Sequence, residues 1–351
     1  MAATVVAAAR MAESADAEAS KVFTREGVWV RVPLRARCYR WSMSDRPSLA
    51  FRDDVVVLFP GQGSLAGGAG LAWRSSRHWS QVERISDVSG VDVEHLLTSA
   101  SDEDVVRTDR AQIATFALSM VGYLELLDRG VRARFLLGHS LGELTALVAS
   151  GLLSIDEGAR LIAVRGAAMA RAARVSPGSM VALMGGDDQA REALDDLAEV
   201  WIANINGTGQ IVVSGTTEGL EDLLARHREL GWRRATALPV GGAFHSPLMA
   251  SAQAELDTAL ASTTWGATEA TLLANVDGEV HTSASEWRAL LSRQLTSPVE
   301  FLRCTMALPA SVTTTIEMPP AGVLSGLTKR IRPFEHQYAP ASLEELKESA
   351  P

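Results

Sequence analysis

The 351-residue chain has only two cysteines, Cys38 and Cys304, with no CxxC pair and no histidine beside either at zinc-finger spacing. That excludes a disulfide framework and a structural Cys/His metal site, and it fits a reducing compartment. Apolar runs of about 18 residues, the length a membrane-crossing helix requires, are missing. The alanine-rich start, Met1 to Ser20, carries Arg10 but lacks a basic segment followed by an adequate apolar stretch, so it does not read as a secretory signal. A cytoplasmic protein with no membrane contact is expected. Positive charge is not in excess: 33 Lys and Arg face 42 Asp and Glu, for a formal net charge of −9. This removes the overall electrostatic case for nucleic acid, and an acidic partner would need a local basic patch. Aromatic residues make up only 5% while alanine and leucine are abundant, a balance that favours helices on a sheet over an all-β sandwich. What is present is an ordinary globular composition, 47% hydrophobic and 21% charged, with chain enough for one large domain or two modest ones.

Residues 1–50 differ from the rest. An acidic, alanine-rich stretch leads into an alternating segment at 28–32 and then a run containing Arg35, Arg37, Arg40 and Arg46. A poorly ordered extension or linker with one short strand is expected. Beyond it, a buried strand at 55–59 meets the turn Pro60-Gly61-Gln62-Gly63, and a helical stretch covers 111–127. A second buried strand at 135–137 breaks at Gly138, and helical patterns resume at 143–150 and 155–173. Strand, turn and helix in repetition predict a parallel sheet covered by helices, an α/β class. Between 176 and 240 the rhythm changes to strands at 180–184, 200–203, 211–214 and 235–240, with helices at 187–198 and 218–230. That β-α-β-β-α-β order is ferredoxin-like and reads as an inserted small subdomain. The larger one, 51–175 and 241–340, continues with helices at 247–261 and 285–294 and strands at 271–275 and 314–317. Residues 341–351 are expected to be a tail.

Gly138-His139-Ser140-Leu141-Gly142 matches G-x-S-x-G, directly after a short apolar strand and before a helix. The glycines permit a tight strand-to-helix turn that exposes Ser140 as a nucleophile, and the free N–H groups of the following helix face developing negative charge. A serine needs a base. His139 is adjacent, but neighbouring side chains on such a turn diverge. His245 lies in the Gly-rich turn Gly241-Gly242-Ala243-Phe244-His245-Ser246-Pro247 between an apolar strand and a helix, a position that suits a catalytic side chain. On position alone a structural histidine is the commoner reading.

Three segments together carry a resemblance: Val57-Leu58-Phe59-Pro60-Gly61-Gln62-Gly63-Ser64, Gly138-His139-Ser140-Leu141-Gly142-Glu143, and Gly242-Ala243-Phe244-His245-Ser246-Pro247. In this order they resemble the signatures of the malonyl-CoA:acyl carrier protein transacylases and the acyltransferases of polyketide synthases, over about residues 54–335. Arg293-Gln294-Leu295 with Ser297-Pro298-Val299, and Gly326-Leu327-Thr328-Lys329-Arg330, add to it. The resemblance implies an α/β-hydrolase-like core with an inserted ferredoxin-like subdomain. It also implies Ser140 as nucleophile, His245 as base oriented by a main-chain carbonyl near Gln294, and the N–H groups of Gln62 and Leu141 as oxyanion hole. Arg165 interrupts an apolar helical stretch, where a buried cation needs a partner. A substrate carboxylate fits its planar fork, and the family's carboxylate-binding arginine falls at this position. Gln294 is carried over with Arg165 and Phe244 as substrate-binding.

In the polyketide members an AFH sequence accompanies malonyl selection, so Ala243-Phe244-His245 favours malonyl. The implied partners are malonyl-CoA and an acyl carrier protein, in polyketide or fatty-acid synthesis, with no metal and no cofactor beyond the thioester substrate. Three departures stand out: Leu65 where a glutamine commonly follows, Met318-Pro319-Pro320-Ala321-Gly322 where a Gly-Pro-Gly turn is usual, and the first 50 residues. The last suggest either a former synthase domain, an enzyme serving a synthase in trans, or a misassigned start. Competing functions are a hydrolase that clears stalled acyl groups, a transferase for a substituted malonyl unit, and a carrier-docking module without chemistry.

Overall fold

The computed structural model describes residues 21–23, 29–31 and 49–349, and the chain divides into two compact units, Met1–Pro47 and Ser48–Pro351. In the first unit β1 (Lys21–Phe23) pairs antiparallel with β2 (Trp29–Arg31). The alternating segment at 28–32 contains β2; β1 was not expected. The poor order expected for the rest of the extension concerns residues outside those described.

Nine strands among the described residues of the second unit form two sheets. β3 (Arg52–Phe59) and β4 (Ala133–Gly138) begin a parallel sheet. β5 (Ser179–Met184), β6 (Val200–Gly207), β7 (Gln210–Gly215) and β8 (Arg234–Ala237) form an antiparallel one. β9 (Thr271–Leu272), β10 (Thr314–Glu317) and β11 (His336–Tyr338) complete the first. Strand order is β11-β10-β3-β4-β9 in the parallel sheet and β6-β7-β5-β8 in the antiparallel sheet. The latter is the ferredoxin-like order of a β-α-β-β-α-β unit.

Helices cover both faces of the parallel sheet, which is why β3 reads as an unbroken apolar run: Val55 to Phe59 are all fully buried. The helix Thr108–Asp128 is buried at every position from Ala111 to Leu127, so its polar residues must find partners inside. Ser119 donates to the Pro319 carbonyl at 2.6 Å, and Glu125 accepts from Ser76 at 2.6 Å. The helix Ile155–Val175 opens on a Ser154 cap that accepts from the Glu157 N–H, and its inward face carries Arg165 among Leu161, Ile162, Met169 and small residues.

The small sheet packs Val181, Leu183, Val213, Leu220, Leu223 and Trp232 into a core of its own. Its first helix is shorter than expected. Only Asp188–Glu192 is regular, and the chain continues in i→i+3 turns that fold Leu194 and Leu197 inward. The edge strand β6 of the small sheet is tied to the larger subdomain at Val299, whose N–H donates to Ala203 and whose carbonyl accepts from the Ile205 N–H, both at 2.9 Å. The segment 341–351 is not a simple tail: Leu343–Ser349 is helical. Leu343 and Leu346, three apart on one face, are buried, and Trp73 Nε1 donates to the Ala341 carbonyl at 3.2 Å.

Candidate active site

β4 ends at Gly138, and the helix Leu141–Ala149 begins three residues later. A side chain on Gly138 would run into the backbone of Gly142 and Glu143, and one on Gly142 would strike the Phe59 carbonyl at the end of β3. The absence of both lets the strand and helix meet in so short a turn. Ser140 pays for that compactness with φ 53° and ψ −107°, a positive-φ conformation that side-chain-bearing residues rarely hold unless their surroundings fix it. Two bonds do so: the Ser140 N–H donates to Asn275 Oδ1 at 2.7 Å, and Gln294 Nε2 donates to the Ser140 carbonyl at 3.0 Å.

His245, from the turn before the 3₁₀ segment Pro247–Met249, also holds a positive φ of 58°. Its Nε2 lies 2.7 Å from Ser140 Oγ, and its Nδ1 lies 2.8 Å from the Gln294 carbonyl oxygen. A carbonyl can only accept, so Nδ1 carries the proton and Nε2 presents its lone pair to the hydroxyl. Burial first, and the Arg165 cation second, lower the His245 pKa to about 3. The imidazole is thus neutral across the working range, able to take the hydroxyl proton as the oxygen attacks an acyl carbon. His139 points elsewhere, with Nε2 2.9 Å from Asn206 Oδ1.

Arg165 lies beneath this pair and is 1% exposed. Its Nη2 donates to Ser140 Oγ at 3.1 Å and to Gln294 Oε1 at 2.7 Å, and its Nη1 donates to Gln112 Oε1 at 2.6 Å. No carboxylate among the described residues lies within ion-pairing distance of it. Burial lowers its pKa to about 10, so it remains a cation. The N–H groups of Gln62 and Leu141 find no acceptor among the described residues. Gln62 opens the 3₁₀ turn Gln62–Ser64, and Leu141 opens the helix after Ser140. Above them is a cleft of about 390 Å³ with an apolar wall that includes Met169, Met180, Leu238, Phe244 and Leu327. Ser140, His245 and Gln62 line it as well.

A family model for the acyl transferase domain matches residues 56–340. The chain belongs to the acyltransferase family. It is 37% identical over 302 residues to the malonyl CoA-acyl carrier protein transacylase of Mycobacterium tuberculosis, covering 83% of this chain and 99% of that one. The crystal structure of the transacylase of M. tuberculosis superposes with TM-score 0.79 at 36% identity, covering 85% of this chain and 99% of that chain. A malonyl-transacylase solved in complex with its type II polyketide-synthase acyl-carrier protein superposes with TM-score 0.80 at 29% identity, covering 85% and 99%.

The acyltransferase fold brings Ser140, His245, Arg165, Gln62, Leu141, Phe244 and Gln294 to one place. Arg165, Leu141 and Gln294 are buried behind the cleft wall rather than in it, and for Gln294, expected to touch substrate, the contacts are those of a support. Both ends of its amide are occupied by Arg165, the Ser140 carbonyl and Glu143, and its main-chain carbonyl holds His245. Sequence reasoning missed Gln112, Asn275 and Glu143 as parts of the site. Asn275 could have been found at the carboxyl end of a sheet strand, where α/β sites gather. Gln112 is one of several polar residues in a long helix and nothing local sets it apart, and Glu143 lies in the nucleophile motif with no role that the motif itself assigns. Of the departures, Leu65 is buried at the edge of the cleft, and Pro319-Pro320 is a cis peptide beside Gly122. Neither contacts the Ser140–His245 pair. No helix among the described residues is long and apolar enough to cross a membrane.

Proposed function

We propose that this acyltransferase carries a malonyl group from malonyl-CoA, through an ester on Ser140, to the phosphopantetheine thiol of an acyl carrier protein in fatty-acid or polyketide synthesis. The observation that carries this reading is Arg165, a buried guanidinium that reaches the Ser140 hydroxyl and is bonded only to neutral amides and that hydroxyl among the described residues. A cation so placed lacks the direct anionic partner that buried charges require. The free carboxylate of a malonyl thioester supplies it one acyl length from the reacting carbon.

In the first step Ser140 Oγ attacks the thioester carbonyl while His245 Nε2 takes its proton. The Oγ–C bond forms, the C–S bond breaks, and the proton passes to the departing coenzyme A thiolate. The N–H groups of Gln62 and Leu141 receive the negative charge on the carbonyl oxygen; one such donor is typically worth about 2.7–4 kcal/mol in the transition state. In the second step the carrier thiol gives its proton to His245 Nε2 and attacks the ester; the new C–S bond forms, the C–Oγ bond breaks, and the proton returns to Ser140 Oγ. Phe244 fills the cleft beside His245, where a 2-methyl substituent would lie, and a single methyl is discriminated by about 1–3 kcal/mol.

Intact-mass spectrometry after mixing with malonyl-CoA tests the proposal. A persistent malonyl adduct on the Ser140 peptide, discharged by an acyl carrier protein and absent from Ser140→Ala, is the expected result. An adduct that decays as fast in water alone as with carrier would identify a hydrolase, and no adduct would leave only a binding module.

A further inference from the structure

Behind this site, among the described residues, Glu143 is the one carboxylate bonded to the groups that hold Ser140 and Arg165, and the two-step cycle gives it nothing to do. It is 1% exposed. Its Oε1 accepts from the Asn275 N–H at 2.6 Å, and its Oε2 accepts from Gln294 Nε2. The other end of the same Gln294 amide accepts from Arg165. Carboxylate, amide and guanidinium therefore form one chain, with the opposite charges separated by a single neutral side chain. We propose that Glu143 is the resident counter-anion of Arg165, held off by Gln294, and that it takes up a proton when a malonyl carboxylate pairs with the guanidinium.

The charge count drives this, and it rests on the malonyl-transfer reading. In the free enzyme one buried anion balances one buried cation. A bound malonyl carboxylate makes two anions for one cation around groups that are each 1% exposed, and protonating one of them restores balance. Glu143 is the anion able to yield. Burial already holds its carboxyl up at about 7, against lowering by the Asn275 N–H, Gln294 and Arg165. The substrate acid is ordinary and stays ionised. Several other groups face Glu143. Asp277, which pushes it further up, is bonded to His281 at 3.1 Å. The Cys304 thiol is driven up by burial and stays neutral. His139 and His245 are held neutral by burial. Its own helix carries no other ionisable side chain. Glu143 is thus a positioning residue: it keeps Arg165 balanced but unpaired, and it yields when the right acyl group arrives.

The sign follows directly. Below about pH 7 Glu143 is protonated and a substrate carboxylate has Arg165 to itself; above it, the ionised Glu143 competes. The malonyl-to-acetyl ratio of kcat/KM for acyl-enzyme formation should fall as pH rises through 7, by at most about tenfold per pH unit. Titration of the coenzyme A phosphate is common to both substrates and cancels. Glu143→Gln should flatten the profile and exceed the parent ratio at high pH. Transfer from thioester to serine ester consumes no proton, so at about pH 7.5 a dye-monitored reaction should show uptake of up to about one proton per chain with malonyl-CoA. That uptake should be lost in Glu143→Gln. The parent protein alone decides the matter if the variant does not fold: uptake with malonyl-CoA and none with acetyl-CoA is required. A flat ratio in the parent, or equal uptake in parent and variant, overturns the role of Glu143. Loss of the Ser140 adduct itself would instead overturn the transfer reading.

Discussion

At the scale of single residues, the effect of Arg165 on His245 is as consequential as its reach toward substrate. The cation is the second-largest cause, after burial, of the low His245 pKa. A lowered histidine pKa means the neutral base persists to low pH. Arg165→Ala therefore lets His245 protonate at higher pH, and the acid limb of acylation by acetyl-CoA, followed over a pH series, should move upward. The same variant should lose about 2–5 kcal/mol with malonyl-CoA, the cost of truncating one side of a buried charged pair, while acetyl-CoA is spared. Arg165→Lys should restore only part of the preference, because an ammonium keeps the charge without the planar fork. Equal losses for both substrates with a lowered melting temperature would show a purely structural arginine. His245→Ala should slow acylation by several orders of magnitude, with a residue of rate left to binding and the N–H groups of Gln62 and Leu141. A loss below about tenfold in stopped-flow acylation would point to another base.

At the scale of elements, the elbow between β4 and its helix is where shape decides most. Gly142→Ala would place a methyl group against the Phe59 carbonyl, and overpacking of this kind costs about 1–3 kcal/mol or more. Gly241→Ala meets nothing within 4 Å and should stay within about 0.5 kcal/mol. Thermal melts of the two variants should separate clearly; similar melting temperatures would mean that the elbow is softer than its contacts imply. This element was legible in the sequence because G-x-S-x-G sits between an apolar strand and a helix, so one local pattern carries the whole geometry. β9 was less so. The apolar stretch at 271–275 suggested a full strand, yet pairing stops at Leu272. Leu273 bridges to Val280, Ala274 accepts from Gly278, and the chain curls to aim Asn275 at the elbow. Such a bend depends on partners far along the chain.

At the scale of the molecule, the buried site is assembled over long separations: Arg165 meets a residue 129 positions away, and His245 one 49 away. Periodicity and spacing cannot show which amide will end up beneath which arginine, so Gln112 and Glu143 stayed silent until the chain was folded. The strands at 55–59 and 135–137 were legible because each carries its own apolar run, and the small sheet's ferredoxin-like rhythm needs no distant contact to be read; β11, His336–Tyr338, has no such run and went unread. The final helix was not, since two leucines three apart are too short a pattern to separate from a polar tail. Leu346→Ala removes a side chain that is 1% exposed and should cost about 2–5 kcal/mol, read by urea unfolding, with acyl transfer per folded molecule unchanged. A negligible cost would return this segment to the status of a tail.

The crowding at Gly138 and Gly142 also bears on how such a chain can drift. The backbone turn is held by what those glycines lack, while the hydroxyl of Ser140 contributes little to the turn's shape. Selection for folding and selection for chemistry thus fall on different positions three or fewer residues apart. A descendant relieved of its catalytic duty can lose the serine at once and still fold, but it must keep both glycines. Among diverging copies, an intact pair of glycines around an altered centre would therefore mark a lineage that retired from chemistry without surrendering its architecture.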